Sequence, residues 1–283
     1  MKDIALVLSS GGARGLAHIG AIEELEAHGY HVTSVAGCSM GALVGGIFAA
    51  GKLEEFRMWM KEVDRWTLLK MIDPSLSLNH LIDGTKVMET LNTIVPDVNI
   101  ENLPIPFCAV STDWERGEEV VFRKGSLLEA IRSSISLPGF FNPVRPDGRI
   151  LIDGGVLNPI PLDCVARKEG DLLVGIDVSG HDYDGQRRSQ LALSARRKRS
   201  RNPLKRLMPD VSNVTYISLL TRASSLMIRQ NSKLMVELMK PDILVDIQMS
   251  HYNGTDYDKS EQLIAIGRRT TRKVLDSQTD KLV

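Results

Sequence analysis

The chain has 283 residues, with 35 Lys and Arg balanced by 35 Asp and Glu for a formal net charge of +0, which removes any global electrostatic drive toward nucleic acid. A hydrophobic content of 43 % and a charged content of 25 % fit a globular chain long enough to bury a sizeable core. Three widely spaced cysteines, Cys38, Cys108 and Cys164, with no CxxC pair, exclude a disulfide framework or cysteine zinc site and point to a reducing compartment.

Lys2 is followed only by Ile4-Ala5-Leu6-Val7-Leu8, too short for a signal-peptide core, and no run approaches the roughly 18 apolar residues of a transmembrane helix. The expected location is cytoplasmic, with any membrane contact peripheral. Ile4 to Leu8 reads as a buried parallel strand. After Ser9-Ser10-Gly11-Gly12-Ala13-Arg14-Gly15, apolar positions Leu16, Ile19, Ala21, Ile22 and Leu25 predict an amphipathic helix that Gly29 stops. Val32 to Ala36 is a second strand, and an Ala- and Gly-rich helix runs on to about Gly51. Residues 52–96 carry amphipathic helical pieces around 53–59 and 85–91, separated by Asp73-Pro74. Strands are expected at Phe107–Ser111 and Glu119–Phe122. Ser126, with Glu129 three residues on, marks a helix N-cap.

Asp147-Gly148 is a hairpin-turn signal that delivers Arg149–Ile152 as a strand ending in Asp153-Gly154-Gly155. Leu172–Val178 is the next buried strand. A long helix is expected over 213–239, a strand at Ile243–Val245 and a closing helix at Ser260–Val274. Strands alternating with helices predict an α/β fold, a three-layer α/β/α arrangement with a mainly parallel central sheet.

The chemistry centres on Gly37-Cys38-Ser39-Met40-Gly41, between a β-branched run and a helix pattern. This is the strand–turn–helix context of a nucleophile elbow, with Ser39 at its tip. Cys38, one position earlier, reads as a small packing residue. A serine nucleophile needs a base and donors for the oxyanion. The N–H of Met40 and those of the turn Gly11-Gly12-Ala13 are the candidate donors. The same turn would equally serve a nucleotide phosphate, although Ser10 spoils G-x-G-x-x-G and no ribose-binding acid follows. For the base, His181 and His251 come late enough in the chain to compete with Asp153, whereas His18, His28 and His31 precede the nucleophile and His80 sits in an undistinguished segment.

Taken in order, Gly11-Gly12-Ala13-Arg14-Gly15, Gly37-Cys38-Ser39-Met40-Gly41, Ser134-Ile135-Ser136-Leu137-Pro138-Gly139-Phe140-Phe141-Asn142-Pro143 and Asp153-Gly154-Gly155 resemble the patatin-like phospholipase family of lipid acyl hydrolases. The resemblance covers about residues 4–178. It implies a patatin-like α/β/α fold and a Ser–Asp dyad, with Ser39 as nucleophile, Asp153 as base, and Gly11, Gly12 and the adjacent N–H groups as oxyanion hole. Gly15, Gly37, Gly41, Gly154 and Gly155 complete the motifs. The chain departs from the family pattern at Ser10, where the family carries the first of three glycines.

The implied organisation is a catalytic core over 1–178, a basic loop insertion over 179–212 and a C-terminal extension over 213–283 packed on the core. The implied substrate is a lipid ester, cleaved through an acyl-enzyme without metal or cofactor. An acyltransferase or thioesterase on the same dyad, and a non-catalytic lipid-binding module, are the alternatives. Arg14 reads first as a structural ion pair or carbonyl donor, and otherwise as a contact for a lipid phosphate. Phe140 and Phe141 line an acyl channel or simply pack. Residues 187–206 hold Arg187, Arg188, Arg196, Arg197, Lys198, Arg199, Arg201, Lys205 and Arg206 with no acid, which fits either a solvated insertion or a dock for anionic membrane. No aromatic interleaving supports nucleic-acid binding there.

Overall fold

The computed structural model describes residues 2–62, 84–180, 216–249 and 251–279. A seven-stranded sheet runs in the order β4-β3-β2-β1-β6-β7, with β5 off this path and paired to β3. The strands are β1 (Lys2–Leu8), β2 (Tyr30–Cys38), β3 (Phe107–Asp113), β4 (Glu118–Phe122), β5 (Leu151–Asp153), β6 (Leu172–Asp177) and β7 (Ile243–Asp246). The pairs β1–β2, β1–β6, β2–β3 and β6–β7 are parallel, while β4 and β5 run antiparallel to β3. The three-layer, mainly parallel architecture expected from the sequence is present.

Strand periodicity explains the layers. In β1, Ile4, Leu6 and Leu8 point into one core, shared with α1 (Ala17–Ala27), α2 (Met40–Ala49), α3 (Leu53–Glu62), α5 (Leu127–Ser134) and α7 (Ser260–Thr279). The alternate residues Ala5 and Val7 face a second core with Ala36, Cys108, Val110 and Ile160, against which Met235, Val236 and Met239 of α6 (Tyr216–Met239) pack. The remaining helix, α4 (Gly84–Ile94), completes the two expected amphipathic pieces of 52–96. Asp73-Pro74, His80, His181 and the basic stretch 187–206 lie outside the described residues.

Two local expectations have clear physical realisations. The Ser126 hydroxyl accepts the Glu129 N–H at 2.9 Å and caps α5. Asp147 and Gly148 both adopt positive φ, 51° and 77°, and Arg149 N–H donates to Pro146 O at 3.0 Å, as a type I′ turn requires. Helix α1 differs from the amphipathic expectation. Its residues His18, Gly20 and Glu24 are buried as well as its apolar face, because α7 packs along the side that would otherwise meet water.

That second interface carries a paired charge. Glu24 is 2 % exposed, and its carboxylate accepts from Arg272 Nε at 2.7 Å and Nη2 at 3.0 Å. The hydrogen bonds from Arg272 hold Glu24 below the usual carboxylate range against an opposing desolvation. Because the folded pKa is depressed, this stabilisation is present at neutral pH and is lost as pH falls through the lowered value. Replacing Arg272 with Met leaves the buried carboxylate without these two hydrogen bonds, and chemical denaturation at pH 7 should show a loss of stability. The loss should shrink in acid, where Glu24 takes up a proton.

Candidate active site

The register on β3 brings the two halves of the site together. Strand β4 occupies one edge of β3, pairing Val120 with Ser111. On the other edge β2 pairs Cys38 with Val110 and then leaves the sheet, and β5 enters antiparallel with Asp153 opposite Ser111. Two strands therefore meet end to end in one lane of the sheet, and the residues at their facing tips are Ser39 and Asp153. Ser39 Oγ donates to Asp153 Oδ2 at 2.6 Å.

Ser39 is held in a backbone conformation that non-glycine residues rarely adopt, φ 55° and ψ −123°. Its N–H donates to Ser134 Oγ at 2.8 Å, and Ser134 Oγ donates in turn to Val110 O at 2.6 Å. Its carbonyl accepts from Ala42 N at 2.9 Å and Leu43 N at 3.1 Å, opening α2 directly behind the hydroxyl. The sharp reversal needs Gly41, where any Cβ would collide with the backbone of Leu8 and with Ser9 O at 2.6 Å. Gly37 faces Gly41 across the same turn.

Asp153 is 3 % exposed. Its Oδ1 accepts from Gly155 N at 2.8 Å, inside the short turn Gly154–Val156 that it caps. Its backbone is fixed by Asp153 N–H to Ser136 O at 3.0 Å and by Thr112 Oγ1 to Asp153 O at 3.2 Å. Burial pushes its pKa up to about 6, and the hydrogen bonds from Ser39 and Gly155 hold it from rising further. The result is a carboxylate with a basicity closer to neutral pH than an exposed aspartate has.

The glycine-rich turn lies beside this pair. Gly12 adopts φ 56°, and a Cβ there would strike Gly254 O at 2.6 Å, so the loop is shaped against a segment far along the chain. The N–H of Ala13, a candidate oxyanion donor from the sequence, donates instead to Gly254 O at 2.8 Å. Gly11, Gly12 and Met40 carry their N–H groups at helix starts, where no carbonyl of their own helix can reach them. Gly15 packs on the Met40 side chain. Arg14 Nε donates to Gly11 O at 3.1 Å, bracing the loop, while burial lowers the guanidinium's pKa and Asp177 partly offsets this. Ser10 is buried and donates its N–H to Pro159 O at 2.7 Å; its backbone is not in the left-handed region, so a serine fits there.

Other candidates fall away from the centre. Cys38 is buried and free, and burial followed by the nearby Asp153 raises its thiol pKa far from nucleophilic range. His251 sits exposed in a turn. Phe141 packs under the Arg132 guanidinium, 5.4 Å from its ring centre. Among the described residues, Glu119, Asp163 and Cys164 are the group whose ligand atoms lie within 4.8 Å of one another. There the Cys164 thiol donates to Glu119 Oε1 at 3.1 Å, and burial with the carboxylates drives its pKa upward, so it stays a protonated thiol and a poor cation ligand.

Sequence inspection missed several supporting residues. His18 Nε2–H donates to Ser9 O at 2.9 Å, and burial pulls its pKa down to about 4, so a neutral imidazole props the loop from behind. Its place just after the glycine-rich turn was the available signal. Ser134 lay inside a recognised block without a role. Burial, and after it the Asp153 charge, raises the Tyr257 phenol's pKa to about 12. No local pattern connects Gly254 to a loop more than 200 positions earlier, or Tyr257 to Asp153.

Comparison with known proteins places this geometry. A family model described as "Patatin-like phospholipase" matches residues 6–165. An uncharacterised NTE family protein of Mycobacterium tuberculosis is 45 % identical over 179 residues, covering 63 % of this chain and 50 % of that protein. The neuropathy target esterase sws of Drosophila melanogaster is 33 % identical over 188 residues, covering 64 % of this chain and 13 % of that protein. The chain thus spans about half the length of the mycobacterial relative and far less of the insect one. The crystal structure of VipD from Legionella pneumophila superposes with a TM-score of 0.57 at 16 % identity, covering 98 % of this chain and 67 % of that one.

If Asp153, its pKa raised to about 6, serves as the base for Ser39, turnover carries its signature. Ester turnover by the Ser39 hydroxyl should rise as pH passes through about 6 and level off above it, since the raised pKa means the base is lost earlier on acidification. In Asp153→Asn that limb should vanish and turnover should fall roughly a hundredfold to ten-thousandfold. Stopped-flow release of p-nitrophenol across pH 4.5–8.5 (range chosen to bracket the ordinary and raised carboxylate values) reads both effects.

Proposed function

The chain belongs to the patatin-like phospholipase family, and from that premise we propose that it is a serine lipid acyl hydrolase working through a Ser39–Asp153 dyad and an acyl-enzyme. The observation that carries this reading is the 2.6 Å hydrogen bond from Ser39 Oγ to a buried Asp153 whose pKa is raised to about 6.

The steps follow from the groups in place. Asp153 Oδ2 takes the Ser39 hydroxyl proton as Oγ attacks the ester carbonyl carbon. The carbonyl oxygen becomes an oxyanion facing the N–H groups of Gly11, Gly12 and Met40, with the positive end of α2 behind it. Collapse of the tetrahedral intermediate breaks the bond to the alcohol, which leaves with the proton from Asp153. A water then gives its proton to Asp153 and attacks the acyl carbon. The free acid departs, and the proton returns to Ser39. The strained Ser39 backbone keeps Oγ aimed at the incoming carbonyl through both halves. Every acid, base and donor in this scheme comes from the chain itself.

In this proposal the catalytic unit spans 1–178, with the basic insertion over 179–212 and the extension over 213–283 packed on it. The extension reaches the site through Gly254, whose carbonyl holds Ala13. The substrate is a lipid ester met at a membrane, with residues 187–206 contributing attraction to anionic lipid. Three buried, free cysteines agree with a cytoplasmic setting. No helix among the described residues is long and apolar enough to cross a membrane.

A fluorophosphonate probe together with a lipid hydrolysis screen tests the proposal. The wild-type chain should be labelled and should release fatty acid from phospholipid or lysophospholipid. Ser39→Ala, with an unchanged circular dichroism spectrum, should lose both. Undiminished hydrolysis by that variant would overturn the serine assignment.

A further inference from the structure

Helix α6 leaves a large apolar surface uncovered close to the site. Its C-terminal half lies on the sheet, where Met235, Val236 and Met239 pack into the second core and Ser232 is buried. Asn231 Nδ2 reaches Val156 O at 3.5 Å, three residues beyond Asp153. From there to Leu219 the helix continues for twelve residues, or about 18 Å. Along that length Ala223, Ser224, Leu226 and Met227 are exposed, while Ser225, Ile228 and Arg229 on the opposite side are half-buried. Leu219, Leu226 and Met227 are 54 %, 45 % and 61 % exposed, and Leu234 and Leu238 extend the stripe at 52 % and 74 %. At 100° per residue these five fall within about a third of the helix circumference, opposite the face that packs on the sheet. Val156 and Leu157, at 40 % exposure each, put further apolar surface at the rim of the site beside it.

Charge identifies the occupant. The chain is neutral overall, yet residues 185–240 hold 13 Lys and Arg against only Asp210 and Glu237. The rest of the molecule is correspondingly acidic. An apolar stripe within a strongly basic stretch matches the two attractions of an anionic phospholipid surface, acyl chains for the leucines and head-group charge for the cations.

We propose that the outer face of α6, centred on Leu226 and Met227, docks the protein on an anionic phospholipid surface and so presents the mouth of the Ser39 site to the lipid. The docking rests on the lipid-hydrolase reading for its purpose, and its own test reads binding separately from turnover. The helix enters the head-group layer side-on with Leu219, Leu226 and Met227 buried.

The experiment is flotation of the full chain with vesicles of phosphatidylcholine alone or mixed with phosphatidylglycerol, at low and high salt, alongside turnover of soluble p-nitrophenyl acetate. The wild type should float with the phosphatidylglycerol vesicles and much less with phosphatidylcholine, and binding should weaken as salt rises. The double variant Leu226→Ser, Met227→Ser keeps the net charge and should lose binding by about tenfold or more while turning over the soluble ester normally. Equal binding by wild type and variant, or no binding by either, overturns the proposal. So does light scattering that shows a wild-type dimer made monomeric by the double variant, since a second copy would then cover the stripe. Vesicle binding without any turnover of soluble ester would sustain the docking and refute the hydrolase reading.

Discussion

The architecture of the site depends on a single vacancy in hydrogen bonding along β3. Because β2 departs after Cys38, the second half of that edge would present unpaired N–H and C=O groups to the interior, and β5 fills it from the opposite direction. Backbone pairing therefore does the positioning that side chains alone do poorly. Cys38, the residue before the serine, and Asp153 pair with successive positions of the same strand, Val110 and Ser111, and this register brings the serine and the carboxylate together. Ser111, Thr112 and Asp113, the β3 residues opposite β5, are all almost completely buried, so the lane is closed to solvent.

The proposed two-residue catalytic set would ask much of its carboxylate. In water an aspartate is too weak a base to share a hydroxyl proton at neutral pH. Here burial raises it, while one bond from Ser39 and one from Gly155 keep it anionic and correctly turned. These influences oppose each other, and the balance at about 6 leaves a carboxyl that is ionised at neutral pH and close to its titration range. The neighbouring groups do not compete. Cys38 is kept protonated by the same burial, His18 stays neutral and faces Ser9, and the Tyr257 phenol retains its proton.

Much of this was legible in the sequence, for reasons that differ by residue. The elbow at 37–41, the Ser126 cap and the Asp147-Gly148 turn are local: their chemistry is decided within a few positions, so pattern reading reaches them. Strand and helix order also followed from periodicity. What escaped was long-range. Helix α1 read as amphipathic because the cover that α7 supplies lies some 240 positions later, as the Glu24–Arg272 pair shows. Ala13 read as an oxyanion donor for the same reason, since its partner Gly254 has no signature visible from residue 13. The double antiparallel pairing on β3 was hidden because Glu118–Phe122 and Leu151–Asp153 are too short to announce their partners.

The clasp between Ala13 and Gly254 has a consequence for how such a site diversifies. The family model matches residues 6–165, but the loop that would cradle the substrate carbonyl is moulded against a turn at 253–257. Motifs that carry the reaction can therefore stay constant while the tail of the chain, free of any motif, adjusts the depth and width of the cradle. Two members with identical signature residues would then differ in which esters they accept, and the difference would be written in a part of the protein that motif comparison never inspects.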